Sequence, residues 1–208
     1  MDTDLLSILL PKTGDPNLQL PDPSLLQFYT DLDNRTYWVE GEVTDDLLDL
    51  VSKIVDWNRQ DKGKPVEDRV PIKIYIYSPG GGLDMAKALI EMIKISKTPI
   101  YTYALGMCAS AASMIFLSGH KRFATKNVSF LFHQGSCSNI GGSYQEVQSF
   151  MEDYKKQVAE LENFYKENTN YDPAYIEEKL KSDWYIYKDE ALEHGIVDAI
   201  IDDVDMLY

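Results

Sequence analysis

A chain of 208 residues can bury a full hydrophobic core, and one domain is the default expectation. Composition is that of a soluble globular protein rich in tyrosine, and a formal net charge of −14 argues against a nucleic-acid surface, which needs clustered Lys and Arg. The two cysteines, Cys108 and Cys137, make no disulfide framework and point to a reducing compartment, and no apolar run approaches the roughly 18 residues of a membrane span.

Residues 1 to about 24 carry "LLPKTGDPNLQLPDPSL", whose prolines resist helix and central strand alike, so an extended N-terminal arm is expected. The acidic start "DTDLLSILLP" lacks the basic n-region of a signal peptide, and a cytoplasmic protein without a membrane partner is expected. "RTYWVEGEV" predicts a strand with a turn at Gly41. "TDDLLDLVSKIVDWNRQ" predicts a helix with Thr44 as N-cap, because Leu47, Leu50, Val51 and Ile54 recur at helical spacing. "VPIKIYIY" predicts a buried strand broken by "SPGGG", and "LDMAKALIEMIKIS" an amphipathic helix. "TPIYTYAL" is the next strand, followed by a helix of small residues from Ala109 to about Ser118. "KRFATKNVSFLFHQ" predicts a turn and one further strand.

The longest helix is expected over "SYQEVQSFMEDYKKQVAELENFYKEN". Val147, Phe150, Met151, Tyr154, Val158, Leu161 and Tyr165 make one apolar stripe along roughly 35–40 Å. That length exceeds what one small domain covers, so part of the stripe is expected at a subunit contact. The tail "DPAYIEEKLKSDWYIYKDEALEHGIVDAIID" reads helix, link, helix, strand. Alternating strands and helices predict an α/β architecture with a mostly parallel sheet.

Glycines between a strand and a helix in "YIYSPGGGLDMAKAL" invite a phosphate-loop reading. The G-x-G-x-x-G spacing is absent, and Asp84 follows where a P-loop needs Lys. Two readings remain: a tight structural turn, or backbone N–H groups of Gly80, Gly81 and Gly82 left bare for a peptide strand or an oxyanion. Among the histidines, His194 before Gly195 reads as a helix C-terminus and His120 as a solvated turn residue. His133 ends the apolar strand "VSFLFHQG" where glycine-rich chain begins, the usual position of functional residues in an open α/β sheet. Within "GMCASAAS", Ser110 follows the preceding strand. If the two strands are neighbours, a hydroxyl and an imidazole meet as the nucleophile and base of acyl-transfer chemistry. The residues alone leave Ser113 as a competitor and Cys108 as a weaker one.

Taken together, "YIYSPGGG", "GMCASAAS", "FLFHQG" and "SDWYIYKDEALEHGIVD" closely resemble the proteolytic subunit of the Clp protease, the ClpP family of serine peptidases, from about Tyr37 to Asp202. The resemblance implies a ClpP/crotonase-like fold of repeated β-β-α units. It also implies one peptidase domain over 25–208 and a protruding handle helix within about 135–168. It carries a Ser-His-Asp triad onto Ser110, His133 and Asp183, and an oxyanion hole onto the N–H groups of Gly81 and Ala111, with no metal or cofactor. It further implies homo-oligomeric heptameric rings stacked into a tetradecamer, unfolded polypeptide substrates, and an ATP-dependent Clp-type unfoldase as partner.

Three departures from the family pattern stand out. Lys181 and Ser182 replace the charged pair that usually precedes the active-site Asp, Gly135 replaces the usual Pro, and residues 1 to about 24 do not match the usual axial loop. Two further readings follow from the residues: a catalytically silent ring or scaffold subunit, and a crotonase-type acyl-CoA enzyme that holds an enolate on the glycine N–H groups.

Overall fold

The computed structural model describes residues 22–137 and 140–208, so most of the expected N-terminal arm lies outside the described residues. The last residues assigned to that arm are helical. Asp22 caps α1 (Pro23–Asp33), accepting from Ser24 N at 2.8 Å, with Pro23 in the first turn where its missing N–H costs nothing.

The sheet carries the architecture. Strands β1 (Thr36–Val43), β2 (Ile72–Gly81), β3 (Ile100–Ala109), β4 (Lys121–Thr125) and β7 (Ala199–Ile201) lie side by side in that order and are all parallel. β5 (Ser129–Phe132) pairs with the far end of β3, and β6 (Trp184–Tyr187) adds to it antiparallel. The result is a mostly parallel α/β fold, as the alternation of elements predicts. Helices α2 (Leu47–Gln60), α3 (Leu83–Ile95) and α4 (Ala111–Leu117) pack on one another in succession, α2 and α3 against β1 and α4 against β2 and β3. They bury Leu50, Ile54, Leu89 and Ile93 against Ile72, Ile74, Ile76 and Ile100. On the other face, strand register aligns Trp38, Tyr75, Tyr103 and Phe123 into a ladder of rings with centroids 4.6, 4.8 and 5.0 Å apart. Each such pair contributes about 0.5–1.5 kcal/mol beyond its buried area.

Several local expectations are corrected. Gly41 forms a bulge, where the β1–β2 register shifts, and the strand continues past it. α2 starts at Leu47 with Asp46 at its N-cap, because Thr44 to Asp46 make a preceding turn. β2 runs on through Ser78 to Gly81, since pairing with β1 carries the chain past Pro79. "KRFATKNVSFLF" holds two strands rather than one, and "WYIY" is the strand β6 with Trp184 and Ile186 buried on alternate positions.

α5 (Tyr144–Asn168) spans the expected long helix. Ser143 and Glu146 close a reciprocal capping box at its start. Its stripe is buried only at the C-terminal end, at Leu161 and Tyr165 with Phe164 beside them, while Phe150 and Met151 are exposed. α6 (Pro173–Lys179) and α7 (Lys188–Glu193) complete the chain's helices among the described residues. No helix among these residues is long and apolar enough to cross a membrane.

One buried ion cluster closes the end of the sheet opposite the site. Asp61, with no solvent exposure, accepts from Arg35 Nη1 and Nη2 at 2.5 and 2.9 Å, Lys64 Nζ at 2.9 Å and Thr98 Oγ1 at 3.0 Å. The Arg35 guanidinium holds this carboxyl well below the usual carboxylate range, against the opposing pull of burial. Removing one partner of such a cluster leaves uncompensated charge, so Asp61→Asn is expected to lose about 3 kcal/mol of stability in urea unfolding at neutral pH. A depressed folded pKa contributes stability above the unfolded value and loses it as pH falls. The gap between wild type and variant should therefore narrow as pH drops below about 5.

Candidate active site

Ser110 occupies the single residue between β3 and α4, with φ 54° and ψ −127°. A non-glycine residue in that region costs about 1–3 kcal/mol and persists only where its surroundings fix it. Here its N–H donates to Leu131 O at 2.8 Å, and its carbonyl accepts from Ser113 N at 2.9 Å and Ser113 Oγ at 2.6 Å. The crowding explains why the neighbours are small. A Cβ on Gly80 would stand 2.7 Å from both Ser110 Cβ and Ala109 O. With its backbone pinned, Ser110 turns its Oγ outward instead of capping α4.

The outward hydroxyl meets His133. β5 pairs with β3 through Ala109↔Leu131, which puts the residues that follow each strand side by side. His133 Nε2 lies 2.6 Å from Ser110 Oγ, a hydrogen bond in either direction until the tautomer is assigned. β6 returns antiparallel with Phe132↔Trp184 in register, so Asp183 stands opposite His133. Asp183 Oδ1 is 3.6 Å from His133 Nδ1, an ion-pair approach longer than a hydrogen bond. The Asp183 side chain is 60% exposed and that of His133 21%. The three side chains therefore meet in one line from three separate strand ends.

The competitors are turned elsewhere. Ser113 is fully buried, with its hydroxyl against Ser110 O and the Tyr165 hydroxyl. Cys108 is fully buried in β3, and burial alone pushes its thiol far above the ordinary range, away from the reactive thiolate. His120 is exposed in the turn, as expected, and also clasps β3: its Nδ1 accepts from Ile100 N at 2.9 Å, and its main-chain N–H donates to Ile100 O at 2.8 Å. His194 sits at the C-cap of α7 and stacks on Tyr171 with centroids 3.8 Å apart.

Of the three glycine amides expected to be bare, two are occupied. Gly82 N donates to Val43 O at 2.8 Å, and Gly80 N to Ser78 Oγ at 3.1 Å. Gly81 carries φ 150°, a conformation that favours glycine, and lines the same cavity as Ser110. Ala111 is the first residue of α4, whose N–H has no intrahelical acceptor. Gly81, Ala111, Ser110 and His133 line one cavity of about 260 Å³, roofed by Tyr154, Val158 and Leu161 of α5. Tyr154 also donates its hydroxyl to Gly135 O at 3.3 Å, linking α5 to the chain after His133. Of that glycine-rich stretch, Ser138 and Asn139 lie outside the described residues. The α5 roof was legible only as a helix stripe, because its register against the cavity depends on contacts far apart in sequence.

Comparison with known proteins identifies the family. The sequence model of the Clp protease family, described as Clp protease, matches residues 25–204. The chain is 30% identical over 182 residues to the ATP-dependent Clp protease proteolytic subunit 2 of Treponema denticola, covering 86% of each chain. It is 26% identical over 174 residues to the protein of the same name from Treponema pallidum, covering 82% of this chain and 84% of that one. A solved structure of a ClpP1 point mutant from Listeria monocytogenes shares the fold with a TM-score of 0.72, at 24% identity, covering 88% of this chain and 99% of that chain. With the family pattern running through nearly all of its described length on a matching fold, the chain belongs to the Clp protease family.

Proposed function

We propose that this chain is a cytoplasmic serine endopeptidase that cleaves unfolded polypeptides through an acyl-enzyme on Ser110. The observation that carries the reading is the 2.6 Å contact between Ser110 Oγ and His133 Nε2, with Asp183 on the far side of the imidazole. The Asp183 carboxylate favours the tautomer with hydrogen on Nδ1, which leaves the Nε2 lone pair facing the hydroxyl. Ser110 Oγ attacks the peptide carbonyl as His133 takes its proton. The oxyanion then sits between the N–H groups of Gly81 and Ala111, and the α4 dipole adds to their field. His133 returns the proton to the leaving amine, and a water activated the same way releases the acyl group. The long Asp183 contact shortens when imidazolium forms, since apo distances at such sites commonly tighten during reaction.

The substrate enters as an extended chain between the Gly81 edge and the segment after His133, held through main-chain pairing. Such recognition is tolerant of sequence. The exposed Phe150 and Met151 on α5 support self-assembly through this helix, and the family resemblance carries the heptameric ring stacked in pairs. Lys181 and Ser182 lie exposed beside Asp183 and leave ring-to-ring contact to other groups. The Treponema relatives are named as subunits of an ATP-dependent protease. Since Asp84 stands where a phosphate loop needs Lys, ATP use is assigned to a separate Clp-type unfoldase.

Assembled wild-type protein is expected to take an alkyl fluorophosphonate on Ser110 and to cleave a short fluorogenic peptide, and Ser110→Ala to do neither. Unlabelled wild type would return the chain to the silent-subunit reading, and peptide turnover that is abolished in Ser110→Ala excludes the acyl-CoA reading. Asp183→Asn is expected to keep the assembly and lower the hydrolysis rate by about a hundred- to ten-thousandfold, as tautomer control is lost; a near-normal rate would assign the acid to another residue. Phe150→Glu with Met151→Glu is expected to shift sedimentation velocity to smaller species and to reduce hydrolysis, whereas an unchanged coefficient would remove α5 from the interface.

A further inference from the structure

Tyr165 is the largest side chain among those with essentially no solvent exposure, and it lies behind the cavity. A buried phenol needs partners for its oxygen. Its ring stacks on Phe132 with centroids 4.2 Å apart and planes 12° from parallel, and Phe132 directly precedes His133. Its hydroxyl lies 3.3 Å from Ser113 Oγ. Ser113 has one hydroxyl proton, and the 2.6 Å contact to the Ser110 carbonyl uses it. The Tyr165 hydroxyl is therefore the donor in its contact with Ser113. Burial pushes the phenol up, so the hydroxyl keeps the proton it donates.

Resting on the peptidase reading above, we infer that Tyr165 is a positioning residue: its one hydroxyl and its ring tie the turn that carries Ser110 to the strand end that carries His133. The tie runs through Ser113 and main-chain atoms, so Ser110 Oγ and His133 Nε2 stay free to react. It sets the separation of nucleophile and base from the interior rather than from the cavity side. α5 thereby contributes to the reaction centre from a residue that touches no substrate.

Tyr165→Phe keeps the ring and its stack and removes only the oxygen, and Ser113→Ala cuts the same relay one group further on. Rates are read with a short fluorogenic peptide and normalised to the sites labelled by fluorophosphonate. Each variant is expected to lose about ten- to a hundredfold in kcat with KM unchanged, as expected when reacting groups are misplaced. The double variant is expected to be no slower than the slower single, since both interrupt one relay. A merely structural tyrosine would lower the thermal midpoint and the number of labelled sites while leaving kcat per labelled site intact, and that result overturns the inference. Additive losses in the double variant overturn it as well. Should Tyr165→Phe fail to fold, Ser113→Ala carries the same expectation and the same refutation. Wild-type protein that neither takes the label nor cleaves peptide overturns the peptidase reading and this inference with it. Wild type that does both, beside variants of equal kcat, overturns the inference alone.

Discussion

The pairing of β5 with the far end of β3 is the constraint on which the site depends. β3 serves two neighbours in turn: Tyr101 to Ala104 pair with β4, and Met107 to Ala109 pair with β5. At that fork the sheet divides, and the second branch continues through β6. The Ser110 N–H closes the fork on Leu131 O. Everything chemical sits just beyond it, where backbone pairing ends and side chains project into solvent. The fixed ladder behind the fork lets a strained Ser110 persist, because the cost of its conformation is met by the sheet that holds it.

Fixation at the fork also explains the uneven electrostatics of the molecule. Buried charge is concentrated at the other end of the strands, where Asp61 gathers Arg35, Lys64 and Thr98. Near the reactive groups the buried atoms are instead neutral hydroxyls and aromatic rings. A neutral surrounding leaves the charge that develops in acyl transfer to be met by Asp183, Gly81 and Ala111 under the proposed mechanism. The overall −14 charge stays at the surface, where solvent screens it within about 8 Å.

Much of this was legible in local patterns. The apolar stripe from Val147 to Tyr165 marked α5, and the order strand, small residues, helix marked the Ser110 turn. α1 went unread although "DPSL" carries the same cap-and-proline signal as "DPAY" before α6, because surrounding prolines masked it. β6 was missed because four residues between two helical patterns give too short an alternation to register. Asp183 is the clearest case. An exposed acid ahead of aromatic residues carries no signal of its own, and only the antiparallel register of β5 and β6 puts it opposite His133. The family resemblance pointed to it; no propensity did.

The step from β4 to β5 has an evolutionary corollary. Three residues, Lys126 to Val128, join two strands that lie along the same side of β3, and Gly106 N clasps Thr125 Oγ1 at 3.3 Å across the step. Side chains alternate with a period of two, so gaining or losing one residue in that joint would turn Phe130 and Phe132 out of the core. His133 would swing to the opposite face with them. Length variation in this three-residue joint therefore acts directly on the register that sets the fork.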